Sequence, residues 1–262
     1  MGLLSGKVAI VTGGGTGLGR AIARRFLEQD ARVVICGRRM EKLRETAGLI
    51  GAAEAEERLL PLPCDVTDNN QIMGVVKTTM ERFGGIDVLV NNAGVMRFGE
   101  LCQADDQSWE LMMRTNVWGP WRFSVAVAPH MKSRSGGSIV TISSVAGLKG
   151  MTGAGLYCTS KAAVQMISQT LALELAGDQI RVNVICPALV EDTELAEPEV
   201  GKEGMQEFYD KLRPCHPLGR NGRPDDVAEA ALFFACESSG WITGTILPVD
   251  GGRMLTSNRP KI

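Results

Sequence analysis

Tyr157 and Lys161 stand four residues apart in a stretch of helical period from about Ala154 to Ala176, so their side chains share one helix face. A free phenol ionises at about pH 10, too high for ready proton exchange at neutral pH, and an adjacent ammonium lowers that value by favouring the phenolate. The pair has the make-up of an acid/base couple in which Lys161 tunes Tyr157. Ser144 lies thirteen residues before Tyr157, at the end of the strand-like run Gly137 to Ser143. From there its hydroxyl could hold a reacting oxygen in place. Histidine offers no rival, because His130 and His216 sit outside every motif, and no metal is expected because no ligand cluster has the right spacing.

A second constellation is suited to binding. Thr12-Gly13-Gly14-Gly15-Thr16-Gly17-Leu18-Gly19 follows the strand-like run from Lys7 and opens a helical run rich in Ala, Arg and Leu. Glycines let the backbone turn sharply and approach a pyrophosphate, while free N–H groups at a helix start supply donors and partial positive charge. The spacing G-x-G-x-x-G fits no register here. The wider TGxxxGxG does, with Thr12, Gly13, Gly17 and Gly19 at the fixed positions. In a chain with 31 glycines a flexible turn is the competing explanation, and the loop alone does not decide.

The elements that must position these residues can be read from periodicity. Strand candidates are KVAIVT, ARVVIC, RLLPLPC, DVLVNN, GSIVTIS, RVNVIC and TILPVD; helices are predicted over Leu18 to Gln29, Glu41 to Gly51, Asn69 to Phe83, Ser108 to Arg134, Ala154 to Ala176 and Pro224 to Glu237. Such alternation argues for right-handed βαβ units, a parallel sheet and an α/β doubly wound fold. Without a linker-like tract or repeat, residues 1–262 are expected to form a single domain. A net charge of −2 gives no basic stripe for a phosphate backbone, so no nucleic-acid partner is expected. No apolar run is long enough to span a bilayer, and with a strand-like run already starting at Lys7 no signal peptide is expected. Seven cysteines, scattered and odd in number, fit neither a disulfide framework nor a zinc site, so no membrane association and a cytoplasmic location are expected.

Asn91-Asn92-Ala93-Gly94 follows the fourth strand candidate, Ser144 precedes Tyr157-Cys158-Thr159-Ser160-Lys161, and Val249-Asp250-Gly251-Gly252 lies near the end. With the glycine loop, this set resembles the short-chain dehydrogenase/reductase family along the whole chain. Taken singly, Tyr157 could be a surface ring, Lys161 a solvated charge, Ser144 a turn residue and Asn116 a helix-bending cap; the matched set favours catalysis. The resemblance implies a Rossmann-like sheet of seven parallel strands in the order 3-2-1-4-5-6-7, with helices on both faces. It implies oxidoreductase chemistry with a nicotinamide cofactor, Ser144, Tyr157 and Lys161 as catalytic residues and Asn116 as a fourth that anchors a water-linked proton path. Gly13, Gly15, Thr16, Gly17, Leu18 and Gly19 are then expected at the pyrophosphate, Asp65 and Val66 at the adenine. Asn92, Ala93 and Gly94 should follow the ribose and nicotinamide, with Tyr157, Lys161, Pro187, Ala188, Val190 and Thr193 also on the cofactor. The family's Pro-Gly appears here as Pro187-Ala188, and its threonine is displaced to Thr193 with Asp192 in its place.

At the end of the second strand, where an NAD site places an acid on the ribose, the chain has Gly37-Arg38-Arg39. Gly37 removes the repulsion and Arg38 or Arg39 can clamp a 2′-phosphate, so NADP(H) is the expected cofactor, with NAD(H) left open. Residues from about 191 to 220 should form the substrate lid. Between Glu191 and Asp210 they carry eight acids against Lys202 alone, read as a solvated helix face. That acidity is unsuited to an acidic carrier protein, so a free small alcohol or carbonyl is the expected substrate. A catalytically idle cofactor-binding sensor is the alternative, and an epimerase or lyase a weaker one. The helix from Ala154 is apolar nearly all round, which predicts a homo-oligomer, dimer or tetramer, packed there and on the helix containing Trp118 and Trp121.

Overall fold

Alternate residues of each central strand enter different hydrophobic clusters, and this divides the molecule into layers. Ala9, Val11, Val33, Ile35, Val88 and Val90 join one cluster, whereas Ile10, Val34, Cys36 and Leu89 join the other. Successive strand side chains point to opposite faces, so near-continuous apolar runs are required when both faces are covered. The computed structural model describes residues 1–50 and 57–256. Its strands are β1 (Val8–Thr12), β2 (Arg32–Gly37), β3 (Leu59–Pro63), β4 (Val88–Asn91), β5 (Gly137–Ile142), β6 (Ile180–Pro187) and β7 (Ile246–Val249). They form one sheet in the order β3-β2-β1-β4-β5-β6-β7, every pair parallel. This is the Rossmann-like arrangement that the motifs implied.

On one face, α1 (Gly17–Glu28) packs against α9 (Pro224–Ala235), with Ile22, Ala23 and Phe26 meeting Val227, Ala231 and Leu232 in a common cluster. On the other lie α3 (Asn69–Phe83), α5 (Gly119–Ser133) and α6 (Gly155–Leu175), which contribute Ile72, Phe123 and Leu171 to the second cluster. α3 has the predicted bounds because both ends are capped: Asp68 accepts from Asn70 N at 2.8 Å, and Gly84 takes a left-handed φ of 75°. α2 is Met40–Ile50, and the predicted last residue Gly51 lies outside the described residues.

The expected continuous helix from Ser108 to Arg134 is corrected in its middle. α4 (Asp106–Met113) and α5 are joined by a π turn over Arg114–Trp118. Pro120 has no N–H to offer the Asn116 carbonyl, so the i→i−4 ladder fails there and a wider turn takes its place. The stretch expected to form the lid, where a helix face was read without bounds, contains α7 (Glu197–Val200) and α8 (Met205–Leu212).

α6 buries Tyr157, Lys161, Val164, Ser168 and Leu171 along one side and leaves Met166 and Leu173 exposed on the other. Trp121 and Val125 of α5 are exposed as well. No described helix is long and apolar enough to cross a membrane.

Candidate active site

The carboxyl ends of β1, β4, β5 and β6 open into one cavity of about 570 Å³, where an open parallel sheet is expected to receive a ligand. Every site residue predicted from the sequence lines this cavity except Gly19 and Asn116, which lie behind its wall.

The glycine loop is held by its own backbone. Gly13 N donates to Cys36 O at 2.7 Å, and Gly13 and Gly17 adopt φ of 67° and 48°, where a side chain would be strained. Gly19 serves packing: a Cβ there would lie 2.2 Å from Gly13 O and 2.6 Å from Asn92 Nδ2. Thr12 ties this loop to the next one. Its hydroxyl accepts from Asn92 N and Ala93 N, both at 2.9 Å, while Asn92 Nδ2 donates to Thr12 O at 2.8 Å.

At one end of the cavity lie Gly37, Arg38, Arg39, Lys42, Asp65 and Val66. Lys42, in the first turn of α2, was missed in the sequence; it lines the same cavity as Arg38 and Arg39. Arg39 Nη2 donates to Glu194 Oε2 of the lid at 2.6 Å, and Lys42 pairs with Glu45 at 2.8 Å. Asp65 Oδ1 accepts from Thr67 N at 2.9 Å, fixing the loop after β3. The cavity runs from this cationic end along the glycine loop to Ser144 and Tyr157.

At the other end, Tyr157 and Lys161 are both nearly fully buried on α6. Lys161 Nζ donates to Ile142 O at 3.0 Å and lies 5.6 Å from the Tyr157 ring centre. Burial pushes the Tyr157 phenol up, a hydrogen bond with Ser144 pulling the other way. Burial brings Lys161 down to about 8. Beside the expected tuning of Tyr157 by Lys161, burial is the largest influence on each group, which helical spacing alone does not reveal. Ser144 Oγ also accepts from Ala146 N at 3.1 Å.

Gln165 is a further polar residue that sequence reasoning passed over. One turn beyond Lys161, its Nε2 donates to Ser143 Oγ at 3.0 Å and to Ser144 O at 3.2 Å. The i, i+4, i+8 row Tyr157, Lys161, Gln165 was the available signal. Asn116, inside the π turn, grips the Val95 backbone, accepting from its N and donating to its O, each at 2.8 Å. Its Nδ2 also donates to Ser160 Oγ at 3.0 Å. A Cβ on Gly94 would lie 3.3 Å from Asn116 Oδ1 and 3.5 Å from Lys161 Nζ, so these three residues form one tight cluster.

The displaced threonine still reaches the cavity. Asp192 takes a left-handed φ of 58°, and Thr193 then sits opposite Gly17, where a Cβ would be 3.3 Å from its methyl group. The lid acids are not simply solvated. Glu199 Oε1 accepts from Arg97 Nη1 at 3.1 Å and its Oε2 from Phe98 N at 3.0 Å, while Asn221 donates to Glu191 at 2.8 Å. These partners lie far away in sequence, which is why composition suggested a free helix face. Among the described residues, no group of three or more His, Cys, Asp or Glu could hold a metal ion.

Residues 13–254 match a family model described as enoyl-(acyl carrier protein) reductase. The chain is 36% identical over 258 residues to a 3-oxoacyl-[acyl-carrier-protein] reductase of Thermotoga maritima, covering 96% of this chain and 99% of that one. It is 33% identical over 256 residues to the meso-2,3-butanediol dehydrogenase of Serratia marcescens, covering 98% of each. A solved short-chain type dehydrogenase/reductase of Mycobacterium marinum superposes with a TM-score of 0.89 at 34% identity, over 97% of both chains. With the family model matched over residues 13–254 and these relatives covered nearly end to end, the chain belongs to the short-chain dehydrogenase/reductase family of oxidoreductases.

Proposed function

We propose that this protein transfers a hydride between NADP(H) and a small carbonyl or alcohol, with Tyr157 as the acid/base. The observation that carries the reading is a single cavity with the Ser144 and Tyr157 hydroxyls at one end and Arg38 and Arg39 at the other. When bound, the nicotinamide supplies or accepts the hydride. Gly13, Gly15, Thr16, Gly17 and Leu18 would hold the pyrophosphate, Asp65 and Val66 the adenine, and Arg38 and Arg39 a 2′-phosphate. Asn92, Ala93, Gly94, Pro187, Ala188, Val190 and Thr193 would bracket the ribose and nicotinamide.

Ser144 holds the reacting oxygen beside Tyr157. A buried, neutral phenol is ready to donate its proton to a carbonyl oxygen as that oxygen gains charge. Lys161, with its ammonium brought to about 8, sits where it can share or relay that proton, and Asn116 holds the Val95 backbone and Ser160 around it. Gln165 acts as a positioning residue for Ser144.

The substrate end is apolar, walled by Met96, Phe98, Met151, Leu195, Met205 and Phe208. The Phe98 and Phe208 rings lie 6.4 Å apart, and the charge of Arg97 is held by Glu199. An uncharged carbonyl on an apolar arm suits this wall. Relatives named for acyl-carrier substrates keep a carrier-bound thioester in view as a second reading, but exposed Glu203, Glu207 and Asp210 on the lid would repel an acidic carrier. The exposed row of Met166 and Leu173 on α6, with Trp121 and Val125 on α5, supports assembly as a dimer or tetramer through these helices.

Replacing Tyr157 by Phe keeps the ring packing and removes the proton donor. Turnover across a carbonyl panel, followed by nicotinamide absorbance, should fall by about three or more orders of magnitude while cofactor affinity holds. Substantial turnover by the variant would remove the catalytic assignment. Gly37→Asp with Arg38→Leu should shift preference toward NAD(H) by roughly tenfold or more, read as the ratio of cofactor Michaelis constants.

A further inference from the structure

The lid is tied to the body of the protein at both ends of the cavity, and the two ties differ in kind. Glu199 is mostly buried, its side chain 15% exposed, and it holds a side chain and a backbone N–H together, Arg97 at 3.1 Å and Phe98 N at 3.0 Å. The Glu194 carboxylate pairs with the guanidinium of Arg39 at 2.6 Å, its one side-chain partner among the described residues, and both side chains are substantially exposed, at 37% and 55%. Arg39 and Glu194 line the same cavity as Gly37 and Arg38. Among the described residues Arg38 carries no ion pair, so Arg38 stands ready for an anion while Arg39 is already taken.

We infer that Glu194 is a specificity-determining residue: its carboxylate competes with the cofactor's 2′-phosphate for Arg39, so that a phosphate at this end detaches Glu194 and loosens the lid. The inference rests on the reading of Arg38 and Arg39 as the phosphate-binding end of the site. The competition follows from charge and geometry. A phosphate monoester carries close to two negative charges and offers three acceptor oxygens, enough to engage two guanidinium forks, whereas a carboxylate carries one charge. An exposed ion pair is a weak tie, so the phosphate displaces it. A nucleotide without the phosphate leaves the tie intact. Occupancy at the adenosine end is thereby reported to the lid covering the reacting end, with Glu199 retained as the permanent attachment.

The test uses the full chain, its Glu194→Gln variant and two probes, 2′,5′-ADP and 5′-AMP, which differ in the 2′-phosphate. Calorimetry reads affinity, and hydrogen exchange reads the amides of 191–200. Glu194→Gln should tighten 2′,5′-ADP by about two- to fivefold, the fold-change that corresponds to one exposed ion pair, and leave 5′-AMP unchanged. In the unmodified chain 2′,5′-ADP should speed exchange in that segment and 5′-AMP should not. In the variant, exchange should be fast before any nucleotide is added. If the unmodified chain prefers 2′,5′-ADP but the variant changes nothing, or tightens both probes equally, the competition is overturned and the cofactor reading survives. A variant that prefers 2′,5′-ADP where the unmodified chain does not would uphold the competition and overturn the NADP(H) preference. No preference in either protein overturns both.

Discussion

At the glycine loop the cavity wall is made of backbone: Gly13 N bonds to Cys36 O, Thr12 Oγ1 receives two amides from the loop after β4, and Gly19 lies against Gly13 O. The lid over the same cavity is held instead by the carboxylates of Glu191, Glu194 and Glu199, reaching Asn221, Arg39, Arg97 and Phe98. Backbone contacts, with the buried Thr12 hydroxyl between them, leave little to adjust and no charge to screen. Exposed ion pairs are individually weak and yield to salt or to a stronger anion. One cavity thus combines a rigid seat with a cover of which the exposed Glu194 attachment can be traded, a combination suited to a common cofactor and a particular substrate.

The largest effect that would break this contrast is expected at Gly19. A Cβ there meets Gly13 O and C, at 2.2 and 2.7 Å, so Gly19→Ala must push the loop away from the end of β1. We expect nucleotide binding by calorimetry to fall by about two orders of magnitude, with a lower Tm, whereas Gly48→Ala, where nothing lies within 4 Å, should bind as the unmodified chain does. Normal binding by Gly19→Ala would show that the seat is as adjustable as the cover. A smaller effect is expected at Glu199. Glu199→Gln retains the shape and a hydrogen bond to Phe98 N but loses the charge facing Arg97, so the carbonyl KM should rise about three- to tenfold while kcat and 5′-AMP affinity change little. A fall in kcat with KM unchanged would instead make the lid part of the chemistry.

How much of this could be read in advance depends on the range of the contacts. Strand alternation, the glycine spacing and the capped helix Asn69–Phe83 are set by residues within a few positions of one another, and each appears in the structure as expected. The π turn was also a local matter: Pro120 withholds the N–H that the Asn116 carbonyl needs, a signal present in the sequence and overlooked. The lid was opaque for a different reason. Glu194 and Arg39 are separated by 155 positions and Glu199 and Arg97 by 102, so a count of local charges could not show that the acids were paired. The acid/base pair was legible as a pair, but its electrostatics were not, because the desolvation that governs Tyr157 and Lys161 belongs to the packed interior.

The smallest effect concerns the return of the lid to the sheet. His216 is 3% exposed, and burial together with Arg253 holds its pKa below the usual value, the backbone carbonyls of Arg213 and Leu212 and the charge of Asp250 opposing. An unfolded chain therefore binds a proton here that the folded chain resists. Stability from this group is present above about pH 6.5, the ordinary histidine value, and declines as pH falls below it. His216→Phe should flatten that part of the Tm-against-pH curve. An unaltered acid limb would show that the lid's base is insensitive to the proton.

The packing of α1 against α9 has a consequence for how the chain is made. Arg25 of α1 bonds to Glu229 at 2.6 Å across 204 positions of sequence, and the apolar side chains of Ile22, Ala23 and Phe26 share a cluster with Val227, Ala231 and Leu232. During synthesis the amino-terminal half emerges long before that cover exists, an interval on the order of ten to forty seconds at ordinary ribosome rates. For that time the face of α1 destined for α9 is sticky and unshielded. Nascent chains halted before Pro224 should therefore engage chaperones and resist native folding, and emergence of Pro224–Ala235, rather than completion of the cofactor loop, should be the event that commits the protein to its final state.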